Sequence, residues 1–435
     1  MGNNKRKCSV KKVAFKTLGC RLNQYETDAL ASQFQAKDYQ LVPFDESADV
    51  YVINSCTVTH QSDHKSRNFI NQANRRNKDS VLVVTGCMAN NAKEELESRE
   101  EINYVVENDQ KTSVFSLVEA HFNGEIIHPS KLNSDLFSYG STDKGFHTRS
   151  MIKIQDGCDN FCTFCIIPSV RGRAVSRPIR DILTNIREVI EQGAKEIVIT
   201  GVNIGRYEFE GYKFDDVVEQ ILNLDGDFRL RISSIEPDGF GDKFLGLLNH
   251  PKMTPHLHLC LQSGSESILL QMRRMYTVKR FKEIVNKVRS INPNFNITTD
   301  IIIGFPNEQE ADFLATCNAI RELNFGHVHT FKYSIRKGTR AERMPEQVDE
   351  RIKTKRSEIL RNLSDEIKSN YRNSFIGKYQ TVLVEKTNGE IGNGYGEHYI
   401  PVRFTGENIQ KNKFYKIKIT NIEDGSDPIL TGEMI

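Results

Sequence analysis

Three cysteines within eight residues constrain this chain more than any other feature. The stretch Ile154-Gln-Asp-Gly-Cys158-Asp-Asn-Phe-Cys162-Thr-Phe-Cys165-Ile-Ile-Pro168 carries them at C-x3-C-x2-C spacing, just after a strand-like run from Met151 to Gln155. Three thiolates on one short loop can hold three corners of a cuboidal [4Fe–4S] cluster, leaving the fourth iron open to a substrate or cofactor. A structural zinc loop, or three incidental cysteines, is the alternative. Zinc sites use four ligands in two close pairs, and no second pair lies nearby. Gly157 and Pro168 flank the run and suit a tight wrapping loop.

At 435 residues the chain has room for two to four domains with sizeable cores. A formal charge of +2 with 27% charged residues excludes a bulk polycation, so nucleic-acid contact needs local basic patches. No run reaches transmembrane length, and no apolar signal segment follows Met1-Gly-Asn-Asn-Lys-Arg-Lys. The expectation is a cytosolic, reducing location without membrane contact. There, nine cysteines argue for metal binding or catalysis over disulfides.

From Lys11 to Phe122 one pattern recurs three times. Val13 to Leu18 ends in Gly19-Cys20, Val50 to Asn54 in Ser55-Cys56, and Val81 to Thr85 in Gly86-Cys87; a polar helix-like stretch follows each. Strand–helix alternation predicts a parallel sheet, whose strand carboxyl ends share one edge. Cys20, Cys56 and Cys87 therefore converge there and suggest a second three-thiolate cluster, against the alternative of ordinary buried small residues. Residues 123–145 read as a linker. Six strands with helical crossovers follow the cysteine loop, and a partial (β/α)6 barrel over 146–370 closes them, with chemistry at the strand carboxyl ends. A long basic helix, Val348 to Ser374, contains Arg351-Ile-Lys-Thr-Lys-Arg356. From 371 to 435, short alternating strands with Gly-rich turns predict a small OB-like β-barrel. The expected fold class is α/β, with an N-terminal parallel α/β domain (11–122), the central barrel and the C-terminal β-barrel.

Together these parts resemble the radical S-adenosylmethionine (SAM) methylthiotransferases over nearly the whole chain. Phe15-Lys-Thr-Leu-Gly-Cys20-Arg-Leu-Asn23-Gln-Tyr-Glu26-Thr matches the family's opening motif. Asn54-Ser-Cys56-Thr-Val and Thr85-Gly-Cys87-Met-Ala match its next two, and Gly157-Cys158 through Arg171-Gly-Arg173 its radical motif. The tail resembles the TRAM domain of tRNA-modifying enzymes. The wording Lys-Thr-Leu-Gly-Cys-Arg-Leu-Asn is most like the subgroup acting on N6-threonylcarbamoyladenosine in tRNA. The isopentenyladenosine subgroup, and one modifying a ribosomal-protein aspartate, are close alternatives; a non-catalytic iron–sulfur RNA-binding protein is the alternative of another class.

The resemblance implies a methylthio group added to adenine C2, whose C–H bond offers no acidic proton to a general base. It implies two [4Fe–4S] clusters, one on Cys158, Cys162 and Cys165 that cleaves SAM to a deoxyadenosyl radical, and one on Cys20, Cys56 and Cys87 that handles sulfur. It implies tRNA, at its anticodon stem-loop, as partner, and an electron donor such as flavodoxin or ferredoxin; the sulfur donor is left open. By the same likeness, Thr200, Gly201 and Asn203 lie beside the methionine moiety of SAM. Ser233, Ser234 and Glu236 are candidates for its ribose, and Gln262 and Asp300 stand near later strand ends. Turn chemistry and capping are the alternatives for each.

Arg171, Arg173 and Arg177 suit a SAM carboxylate or RNA phosphate, against a solvated charged face. His327 and His329 share one side of a strand and either line the barrel or sit as satisfied core histidines. Lys65 and Arg67 with Arg75, Arg76 and Lys78, and the Arg351–Arg356 run, read as basic patches. In the tail, Tyr395 and Tyr399, around a turn at Gly392-Asn-Gly-Tyr395-Gly, are either stacking faces for unpaired bases or barrel core. Cys8, Cys260 and Cys317 read as structural or incidental.

Overall fold

The computed structural model describes residues 10–132, 134–139, 148–425 and 427–435. Cys8 lies outside them, as does part of the 123–145 linker. The chain divides into two units: Met1–Asp143 with Gly157–Asp159 and Cys165–Arg173, and Lys144–Asp156 with Asn160–Phe164 and Ala174–Ile435.

The first unit is built on a five-stranded sheet ordered Gln40–Leu41, Lys12–Thr17, Val50–Ser55, Val81–Gly86, Tyr104–Val106, with every pairing parallel. Val50–Ser55 and Val81–Gly86 are buried along their whole length, as central parallel strands covered on both faces must be. That is why they read as continuous apolar runs. Helices Arg21–Gln35 and His60–Arg76 follow the first two cysteines, as expected; two short helices, Cys87–Asn91 and Lys93–Glu97, follow the third, and a further helix, Val114–Phe122, follows the last strand.

The second unit contains the six expected strands, in chain order. Arg149–Lys153, Glu196–Thr200 and Arg229–Ile232 form one parallel sheet, and His256–His258, Asn296–Ile303 and His327–Lys332 another. Parallel bridges Leu230–Met253 and Ile235–Leu259 join the two. Alternation along each strand divides the side chains. Ile152, Ile197, Leu230, Leu257, Ile297 and Val328 pack outward into a core shared with the helices. Their neighbours Arg149, Glu196, Arg231, His258, Asp300 and His329 therefore face the barrel interior, which is strongly polar.

At one end of that interior, buried Glu196 accepts from Arg229 Nε at 2.6 Å and Arg231 Nε at 2.7 Å, with Arg149 Nε at 3.2 Å. Burial raises its carboxyl pKa, but the guanidiniums, Arg231 foremost, override this and hold it well below the usual range. Replacing Glu196 by Ala should cost about 3–5 kcal/mol, since it strands buried cations without a counter-charge. A drop in the thermal unfolding midpoint, against little change for an exposed pair such as Lys287–Asp242, checks this.

Residues 379–434 close into a barrel ordered Tyr379–Thr387, Ile391–Tyr395, Pro401–Thr405, Ile429–Met434, Phe414–Glu423. The stretch Gly392 to Gly396 is not a turn: Ile391–Tyr395 is a strand paired on both sides. Its glycines serve close packing. Gly392 lies under the Phe404 ring, and Gly394 leaves no room for a side chain beside Leu383.

Tyr395 and Tyr399 are half-buried and stack on each other at 4.9 Å. Arg149 lies over Tyr395 at 4.4 Å and Arg231 over Tyr399 at 4.4 Å. Arg229 donates to the Thr381 and Tyr395 carbonyls, and Arg149 pairs with Glu385 at 2.6 Å. These tyrosines are thus neither free stacking platforms nor small-barrel core; they cap the arginine end of the large barrel.

The basic helix, Glu350–Asn373, is also turned inward in part. Lys353 is buried and pairs with Glu350, and buried Arg356 pairs with Glu308 at 2.7 Å and Glu310 at 3.1 Å. Arg351 and Lys355 remain exposed. The expected phosphate-binding run is half structural because helical spacing puts residues three apart on one face.

Candidate active site

The first unit holds three thiols past three strand ends. Cys20 is exposed and stands at the N-cap of helix Arg21–Gln35. Cys56 is 6% exposed; Cys87, at 3%, opens the short helix Cys87–Asn91. Gly19 has φ +92, and a Cβ there would come within 2.8 Å of Cys56 Sγ, so the chain passes Cys56 only as glycine. Asn23 stitches the loops together. Its Nδ2 donates to Leu18 O at 2.8 Å and Ser55 O at 3.0 Å, and its backbone carbonyl accepts from Asn54 Nδ2.

Whether these thiols suit a cluster can be judged from their spread. A tetrahedral zinc with Zn–S near ~2.3 Å would draw sulfurs to roughly 3.8 Å of one another. No set of three cysteines among the described residues has its sulfurs all within 4.8 Å. Three soft thiol donors past the ends of neighbouring parallel strands suit an iron–sulfur group.

The segment after Cys165 folds with this unit. Ile166 and Val170 pack on Cys87, and Asn108 Nδ2 donates to Val170 O at 2.8 Å. Arg171 is buried: it pairs with Glu26 at 3.1 Å and donates to Asn23 Oδ1 at 2.6 Å, while buried Lys111 pairs with the same Glu26. The role expected of Arg171, toward SAM or RNA, is corrected accordingly; its charge is spent on an internal network. Burial pushes the Cys56 and Cys87 thiols up, and Arg171 and Lys111 act in the opposite sense at Cys87. Arg173 is exposed and pairs with Asp159 at 2.6 Å.

In the second unit, Cys162 Sγ accepts from Arg274 Nη1 at 3.2 Å. Arg274 also pairs with Glu236 at 2.9 Å, and Asn160 Nδ2 donates to the other Glu236 oxygen at 2.6 Å. Glu236 thus stands at a strand end beside a cluster cysteine. Arg274 was missed: the pair Arg273-Arg274 follows a short helix, and nothing local marks it as reaching back over a hundred residues.

The other candidates gather at the same strand ends. Thr200 is buried, and Gly201 packs against Gln155; Val202 and Asn203 donate their backbone N–H groups to Gln155 Oε1 at 3.1 and 2.8 Å. Ser233 Oγ and Gln262 Oε1 are buried atoms with no hydrogen-bond partner among the described residues. Gln262 also holds φ +68, a strained conformation of the kind concentrated at functional sites. A polar ligand would satisfy both oxygens. Ser234 is half-buried, and Asp300 lies 3.2 Å from His258 Nε2.

Ser265, three residues after Gln262, caps helix Glu266–Gln271 and accepts from Ile268 N. Arg177 is buried and donates to Asn185 at 3.1 Å, so it is not part of a solvated charged face. Cys260 is held well above the usual thiol range by burial, with Asp300 and Glu236 adding to it, and Cys317 is buried mid-helix.

Comparison with known proteins gives two family matches: Uncharacterized protein family UPF0004 over residues 12–107, and the Radical SAM superfamily over residues 152–320. The chain is 37% identical to the threonylcarbamoyladenosine tRNA methylthiotransferase MtaB of Bacillus subtilis, across 94% of this chain and 93% of that protein. It is 34% identical to the protein of the same description from Thermotoga maritima, across 95% and 96%. It is 32% identical to the tRNA-2-methylthio-N(6)-dimethylallyladenosine synthase of Fusobacterium nucleatum, across 98% and 100%. Among solved structures, the radical SAM methyltransferase TsrM of Kitasatospora setae shares the fold, with TM-score 0.53 at 14% identity over 74% of this chain and 72% of that one.

Proposed function

The chain belongs to the radical SAM methylthiotransferases, and on that premise we propose that it converts N6-threonylcarbamoyladenosine beside the tRNA anticodon into its 2-methylthio derivative. Its cofactors are SAM and [4Fe–4S] clusters. The observation that carries the proposal is the convergence of Cys20, Cys56 and Cys87 on one sheet edge, in a chain that also carries the radical loop. An N–H or O–H substrate would need neither; sulfur insertion at an inert C–H carbon calls for both.

The residue assignments follow. Cys158, Cys162 and Cys165 would hold a [4Fe–4S] cluster, which when bound would supply the one-electron reducing chemistry that cleaves SAM. Cys20, Cys56 and Cys87 hold the second. Arg274 donates to Cys162 and is itself fixed by Glu236. Ser233 and Gln262 offer the polar grip on SAM. Ser233→Ala should raise the Kd for SAM up to about tenfold, the loss of roughly one hydrogen bond, with iron content unchanged. Equilibrium binding to the reconstituted protein reads this directly. In the same proposal, residues 11–122 handle sulfur, 146–370 generate the radical, and 371–435 with exposed Arg351 and Lys355 bind tRNA. An electron donor of flavodoxin or ferredoxin type serves it in the cytosol; no helix of the described residues is long and apolar enough to cross a membrane.

The test is nucleoside mass spectrometry of tRNA from a strain lacking the gene. The 2-methylthio form of threonylcarbamoyladenosine should vanish and the precursor accumulate, with recovery on complementation. Loss of a methylthiolated isopentenyladenosine instead would move the substrate assignment to the other subgroup.

A further inference from the structure

His258, Asp300 and His329 meet inside the large barrel, from three neighbouring strands. Asp300 stands opposite His329 in register, and His258 opposite Thr298. Their ligand atoms all lie within 4.8 Å of one another, and no other trio of His, Cys, Asp or Glu among the described residues does so. His258 Nε2 is 3.2 Å from Asp300 Oδ1, and its other ring nitrogen, Nδ1, is 3.0 Å from Thr298 Oγ1. Nε2–H of His258 donates to Asp300, and the Nδ1 contact with Thr298 fixes the orientation of the ring; a metal ion would take the place of that Nε2 proton. Imidazoles that bind metals are oriented by such a second contact.

None of the cluster cysteines belongs to this trio. Two imidazoles and one carboxylate form a mixed nitrogen–oxygen donor set. It suits a borderline divalent ion such as zinc, iron(II) or cobalt(II), and suits calcium or magnesium, which demand oxygen cages, poorly. The group is not sealed: the side chains of His258 and Asp300 keep 13% and 29% exposure, and His329 is exposed. Coordination positions would remain open to water or to a substrate oxygen or nitrogen. We propose that His258, Asp300 and His329 form a mononuclear site for a divalent transition metal, separate from the cysteine clusters.

The test uses the oxidised holoenzyme with both clusters in place, so that the six cluster thiols are already occupied. Equilibrium dialysis against Co2+ with elemental analysis should give about one cobalt per chain above the iron content. Pulsed EPR of that cobalt should show coordinated imidazole nitrogen. His258→Gln and His329→Gln should each weaken binding more than tenfold, and Thr298→Ala about 10–100-fold through the lost orienting contact. His327→Gln is the control: its ring lies 4.4 Å from that of His329 but outside the trio, so cobalt binding should be unchanged. Unaltered iron content and circular dichroism show that each variant is folded. Equal cobalt uptake by the wild type and the His258→Gln/His329→Gln double variant overturns the proposal, as does equal loss in His327→Gln.

Discussion

Replacing Cys158, Cys162 and Cys165 together by Ala is expected to abolish SAM cleavage and to leave about half of roughly eight irons per chain, the count for two four-iron clusters. The effect on deoxyadenosine formation should be complete, because the variant keeps none of the three thiolates of the loop. Anaerobic reconstitution, iron counting and chromatographic detection of deoxyadenosine measure both quantities. Deoxyadenosine at wild-type rate in this variant would remove the loop from the radical chemistry.

The second large effect runs the other way. Replacing Cys20, Cys56 and Cys87 by Ala should leave SAM cleavage and stop methylthio transfer, since radical generation needs one set of thiols and sulfur insertion both. Structure adds a control. Cys87 packs on Ile166 and Val170, so its truncation thins the support beneath the segment that follows Cys165. Cys20, exposed at its helix N-cap, has no such duty. The single Cys20→Ala variant should therefore lose methylthio transfer with less effect on deoxyadenosine yield than Cys87→Ala. Methylthio product from the triple variant, supplied with sulfide and SAM, would show that the N-terminal thiols are not the sulfur station.

Much of this arrangement was legible before any coordinates. Strand-end cysteines are readable because the strand signal and the cysteine are adjacent in sequence, and parallel topology does the rest. The polar barrel interior was half legible: His327 and His329 alternate on one strand, but their meeting with His258 and Asp300 depends on the register of three strands. The charged residues misled for one reason. Arg171 and Arg356 look like surface cations because their counter-charges, Glu26 and Glu308 with Glu310, come from distant segments. Burial of a charge is decided by a partner, and a partner is a tertiary fact. The glycines of Ile391–Tyr395 misled for another: the residue that opens a turn also lets two strands, or a strand and a ring, come close.

The discontinuity of the first unit bears on how the protein is made. Its core is not finished when residue 143 leaves the ribosome, for Ile166, Val170 and Arg171 have yet to be synthesised. At roughly 5–20 residues per second the wait lasts on the order of seconds. During it, Glu26 lacks Arg171 as a partner and Cys87 lacks the cover of Ile166 and Val170. The nascent domain would therefore reach its final form only after the radical loop itself has emerged, so iron delivered early meets thiols that are not yet in place.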